Sequence, residues 1–83
     1  ITREQLAAFL YRYARYKGGD VSGRADLSAY GDAAGIAGYA VEAMAWANAA
    51  GLINGTSQTT LSPRGTATRA QAAVILTRFA RDF

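Results

Sequence analysis

A chain of 83 residues makes one small domain that buries only ~60–65% of its unfolded surface; with 51% of its residues apolar, a packed core is expected and disorder is not. Cysteine and histidine are both absent, which excludes disulfides, thiolate and imidazole metal sites and His-based catalysis together, so no metal and no cofactor is predicted. The net charge of +3 divides into +3 over residues 1–17, −3 over 18–50 and +3 over 51–83, a pattern that suits internal docking or an anionic ligand at defined spots better than a uniform face for nucleic acid.

The first predicted element is a helix from Thr2 to about Lys17. Thr2 and Gln5 have the spacing of a capping box, Leu6, Phe9, Leu10 and Tyr13 fall on one helical stripe, and Gly18-Gly19 supplies the stop. Gly18 to Gly38 follows with six glycines, and reads as a long loop with one short turn. A middle helix is expected from about Ile36 to Ala50, with Ile36, Ala40, Ala43, Met44 and Ala47 inward, Trp46 on a neighbouring face, and Gly51 as its stop. Leu52-Ile53 leads into an Asn54-Gly55 turn, and Pro63 to Thr66 makes a second turn that feeds the last helix, which runs to the chain end.

That last helix repeats the first. With an offset of 66, Thr2, Arg3, Gln5, Ala7, Leu10, Arg12, Ala14 and Arg15 are identical to Thr68, Arg69, Gln71, Ala73, Leu76, Arg78, Ala80 and Arg81, eight of fifteen aligned positions. The fold class is therefore all-α: two equivalent helices plus a middle helix, joined by long Gly-rich loops. Much of the apolar share is alanine, so the core must rest on Leu6, Phe9, Leu10, Tyr13, Met44, Trp46, Ile75, Leu76 and Phe79. No apolar run is long enough to span a membrane. The start at Ile1, without a visible signal peptide, reads as that of a processed or excised piece.

Arg3 and Arg69 draw attention because each opens a helix, where the macrodipole favours an acid over a base. A repeated unfavourable choice has two readings. Arginine beside unpaired backbone N–H groups builds a site for a carboxylate or phosphate; alternatively each pairs with a loop acid such as Asp32. Trp46 likewise reads as core or as a platform for a ring. Asp20, Asp26 and Asp32 recur every six residues, which is not the alternating spacing of a calcium loop. The glycine-rich loop has no phosphate-cradling motif, and no recognition-helix signature points to nucleic acid. No nucleophile–base arrangement can be drawn, so the chain is not expected to be an enzyme.

Thr2-Arg3-Glu4-Gln5 and Thr68-Arg69-Ala70-Gln71 resemble the Thr-Arg-Ala-Glu signature of S-layer homology repeats. Tyr30-Gly31-Asp32, Ala43 to Ala47, Gly51 to Gly55 and Leu61 to Thr66 resemble the remaining elements of such a repeat in order and spacing. The resemblance divides the chain into the closing helix of one repeat (1–17), a linker loop (18–29) and one complete repeat (30–83). It implies a module secreted to the bacterial cell surface, which anchors its protein non-covalently by holding an anionic secondary cell-wall polymer, including polymers with pyruvylated sugars. The positions it implies are Arg3 and Arg69 for the acid group, Asp32 at the repeat start, and Trp46, Gly51 and Gly55 shaping the groove. Glutamine in place of the signature glutamate at Gln5 and Gln71 keeps the cap but removes a charge, and Glu4 sets an acid beside Arg3. The alternative is a structural module that completes a helical bundle with other repeats or with copies of itself.

Overall fold

The computed structural model describes residues 1–55, 57 and 59–82. Three α-helices carry the fold: α1 (Arg3–Tyr16), α2 (Val41–Ala49) and α3 (Arg69–Asp82). Single 3₁₀ turns form at Ala33–Gly35 and Gly38–Ala40, and there is no strand among the described residues. The protein is all-α.

Both repeated helices start by the same chemistry. The Gln5 N–H donates to Thr2 Oγ1 and the Thr2 N–H to Gln5 Oε1, at 3.2 and 2.9 Å. In α3 the Gln71 N–H donates to Thr68 Oγ1 and the Thr68 N–H to Gln71 Oε1, at 3.1 and 3.0 Å. Each box satisfies two donors that a helix start would otherwise leave without partners. The stops of α1 and α2 also share one geometry. Gly18 and Gly51 hold φ of 79° and 75°, a left-handed conformation that glycine adopts without a Cβ penalty. The Gly19 N–H then reaches Ala14 O and the Leu52 N–H reaches Ala47 O, which closes the last turn of each helix.

The core lies between α1, α2 and the loops that follow α2. Trp46, Leu10, Met44, Leu52, Ile53 and Leu61 are its largest fully buried side chains. Ile36, Ala40, Ala43, Met44 and Ala47 all point inward, as their spacing predicts, although helix α2 begins later than expected. Ala37 is extended, and its N–H donates to the buried carboxylate of Glu4, so the chain enters through a 3₁₀ turn instead of a helix from Ile36. The glycine-rich segment is not structureless padding, because Val21, Leu27, Tyr30 and Ala33 pack against the core from outside.

Three expected core residues lie outside. Phe9, Tyr13 and Leu76 are 60%, 45% and 47% exposed, because each sits at the edge of its stripe and no element crosses over it. Tyr13 meets its repeat counterpart Phe79 edge-on, with ring centroids 5.8 Å apart. The volume they were expected to fill is taken by Leu52, Ile53 and Leu61, which arrive from irregular chain.

Helices α1 and α3 share a sequence but not an environment. Seven α1 residues are buried, whereas α3 buries Ile75 alone among its described residues. Val74 and Leu76, the counterparts of buried Ala8 and Leu10, are each about half exposed.

Candidate functional site

At the start of α1 the chain supplies its own acceptors. The Arg3 and Glu4 N–H groups donate to Gly65 O and Pro63 O, at 2.9 and 2.8 Å, while the cap threonine takes the next donor. The Arg3 side chain is 6% exposed. Its Nε donates to Leu61 O at 2.9 Å and its Nη2 to Asn54 O. Burial pulls the guanidinium below its ordinary pKa, and it stays charged all the same. Arg3 therefore clamps two loop carbonyls, and the N-terminal donors of α1 are already occupied.

Asp32 grips the same loop from the other side. Its two carboxylate oxygens accept from the Leu61 and Ser62 N–H groups at 2.8 and 2.9 Å, and these bonds hold the carboxyl below the usual carboxylate range. It does not pair with Arg3: the acid binds the N–H side and the base the C=O side of Leu61. Gly55 is required by close approach. A Cβ there would lie 2.5 Å from Ser57 O, 2.6 Å from the Tyr30 ring and 2.8 Å from Thr60 O. Gly51 serves as the helix stop. Trp46 is 2% exposed and meets Tyr11 edge-on at 5.6 Å, so its ring packs in the core; it borders only a small hollow of 180 Å³ beside Asp20 and Gly23, away from the α3 cleft.

The start of α3 is different. Arg69 is exposed and makes no hydrogen bond or ion pair among the described residues; the Arg69 and Ala70 N–H groups likewise have no acceptor there. Immediately beside this end, Ala70 and Gln71 line a cleft of 470 Å³ between α3 and the Leu52–Gly55 turn. Arg3 also lines it, as does Arg78 two turns further along α3, whose Nη1 donates to Gly51 O at 3.2 Å. Val74 and Ile75 supply its apolar side.

Of the six residues singled out from sequence, Arg3 and Gly55 therefore line this cleft, with Arg69 at the helix end next to it. Asp32, Gly51 and Trp46 support the frame. Sequence reasoning missed Arg78 and Gln71 as lining groups. The identity of Arg12 and Arg78 across the repeat was the available signal for Arg78.

Residues 29–73 match the family model of the S-layer homology domain, and the chain belongs to that family. Domains of this family are non-catalytic modules that associate with the bacterial cell wall and hold proteins at the cell surface. No curated protein and no solved structure matches the chain. No helix among the described residues is long and apolar enough to cross a membrane.

Proposed function

We propose that the chain anchors its protein at the bacterial surface by binding an anionic secondary cell-wall polysaccharide, including one with pyruvylated sugars, at the start of α3 and in the adjoining cleft. One observation carries this reading: the repeated helix start is filled by the chain's own carbonyls in α1 and open in α3. Arg69 and the two unpaired N–H groups offer charge-assisted bonds to a carboxylate. Arg78 and the Gln71 amide border the sugar, and Val74 with Ile75 gives its ring an apolar wall. Residues 1–17 act as the closing helix of one repeat, 18–29 as a linker, and 30–83 as a complete repeat.

The protein is expected to pellet with purified walls and to stay in solution once the secondary polymer has been stripped from them. Arg69→Ala and Arg78→Ala should each weaken retention about tenfold, the effect of losing one charge-assisted contact of ~1.5 kcal/mol, with helicity by circular dichroism unchanged. Retention of both variants at the parent level would refute the assignment.

A second reading has its own support in the exposed face of α3. Val74 and Leu76 stand open where Ala8 and Leu10 of α1 are covered, which suits a module that completes a bundle with another repeat or a second copy. Light scattering after gel filtration at high concentration then gives a mass above that of one chain; a clean monomer across that range removes this reading.

A further inference from the structure

We infer that the groove between the C-terminal half of α1 and the Gly38–Ala43 segment is a second subsite for an acidic saccharide, separate from the α3 cleft. The groove encloses 300 Å³, at the lower end of small-ligand clefts of ~300–1,000 Å³. Arg12, Arg15, Tyr11, Tyr39 and Glu42 supply its chemistry.

Neither cation is neutralised by an acid of the chain among the described residues. Arg12 and Arg15 lie three residues apart on one helix, a like-charge spacing that costs stability when nothing neutralises it. Arg12 makes no hydrogen bond or ion pair among the described residues, and Arg15 rests its guanidinium 5.7 Å from the centre of the Tyr11 ring. The nearby acid does not answer them: Glu42 faces Arg24 at 3.7 Å and the Tyr11 hydroxyl at 3.5 Å.

The aromatic groups fit a sugar ring. Tyr39 is 57% exposed and has no ring partner among the described residues, so one face is open to the apolar C–H face of a pyranose. Tyr11 is held rigidly, edge-on to Trp46 and with its hydroxyl accepting from Arg24 Nη2 at 2.7 Å. Two guanidiniums can take a carboxylate, the tyrosine can stack, and the outer oxygen of Glu42 can accept from a sugar hydroxyl.

The internal repeat supports the same conclusion independently. Ala8 and Arg12 border this groove at the helix positions that Val74 and Arg78 occupy beside the α3 cleft. One turn of the repeated helix thus presents a cation to a groove twice, against different walls. The subsite shares only its ligand class with the function proposed above, and the two can fail separately.

The test is a ¹⁵N NMR titration of the full chain with a galacturonic acid trimer, with maltotriose as the neutral control and inorganic phosphate as the simple-anion control. The amides of Gly38, Tyr39 and Glu42 are expected to shift saturably with the trimer and not with maltotriose. Arg12→Ala and Tyr39→Ala, both at exposed positions, should weaken that response about tenfold while leaving any response at Gly55 and Gln71 as in the parent. Gly38–Glu42 amides that do not shift with the trimer, an unaltered response in both variants, or phosphate binding there as tightly as the trimer would each overturn the subsite. A response at Gly38–Glu42 with none at Gly55 and Gln71 would uphold it while counting against the α3 cleft.

Discussion

Replacing Arg3 by alanine is expected to cost about 3 kcal/mol of folding stability, whereas the same change at Arg69 should cost less than about 0.5 kcal/mol. The two residues hold the same position in a repeated motif, and the difference arises wholly from what surrounds them. Arg3 donates to Leu61 O and Asn54 O from a buried position. Truncation removes two charge-assisted bonds and leaves both carbonyls without their donor, each loss being of order 1.5 kcal/mol. Arg69 is exposed, with no such acceptors among the described residues. In a domain of this size roughly 4–8 °C of melting temperature corresponds to 1 kcal/mol, so thermal melts should separate the variants by more than about 10 °C. Arg3→Lys is a useful intermediate, because a single ammonium lacks the planar fork that reaches two carbonyls at once. Equal melting temperatures for Arg3→Ala and Arg69→Ala would show that the clamp contributes little.

The largest loss is expected at Trp46. Its ring is buried and packs edge-on to Tyr11, in a core whose other described members are six alanines, seven leucines and isoleucines and Met44. Trp46→Ala should cost about 3–5 kcal/mol, because a void the size of an indole is only partly refilled by relaxation of its neighbours. A domain of this length has a total stability of roughly 4–12 kcal/mol, so the variant should be at or near the edge of folding at room temperature. Circular dichroism at low temperature with a urea titration measures the change. A variant that keeps its midpoint within about 0.3 M of the parent would contradict the core placement, given slopes of ~1–3 kcal/mol/M.

Much of the frame was legible because local signals decide it. The capping boxes at Thr2 and Thr68, the glycine stops at Gly18 and Gly51, and the inward set from Ile36 to Ala47 act within a few residues of themselves. The role of Arg3 was not legible. Its acceptors lie 51 and 58 residues away and are backbone carbonyls, which any residue type provides. The same holds for Asp32, whose partners are backbone N–H groups of Leu61 and Ser62. Periodicity identified the stripes of α1 and α3 but not which edge of each is covered, so Phe9, Tyr13 and Leu76 read as core while Leu52, Ile53 and Leu61 were read as turn-flanking residues and not as core. That choice is made by long-range docking, which leaves no period in the sequence.

The pairing of residues 1–3 with 63–67 separates two boundaries that are easily equated. Thr2 bridges Thr66, the Arg3 N–H reaches Gly65 O, and the Ala67 N–H reaches Ile1 O. The family match begins at residue 29, yet the helix that covers α2 lies before it. The segment that matches the family and the segment that fills the interior therefore differ by at least one helix, α1. A truncation that starts at residue 29 would strip α1 from α2 and open the interior that Leu6, Leu10 and Ala14 now help to fill.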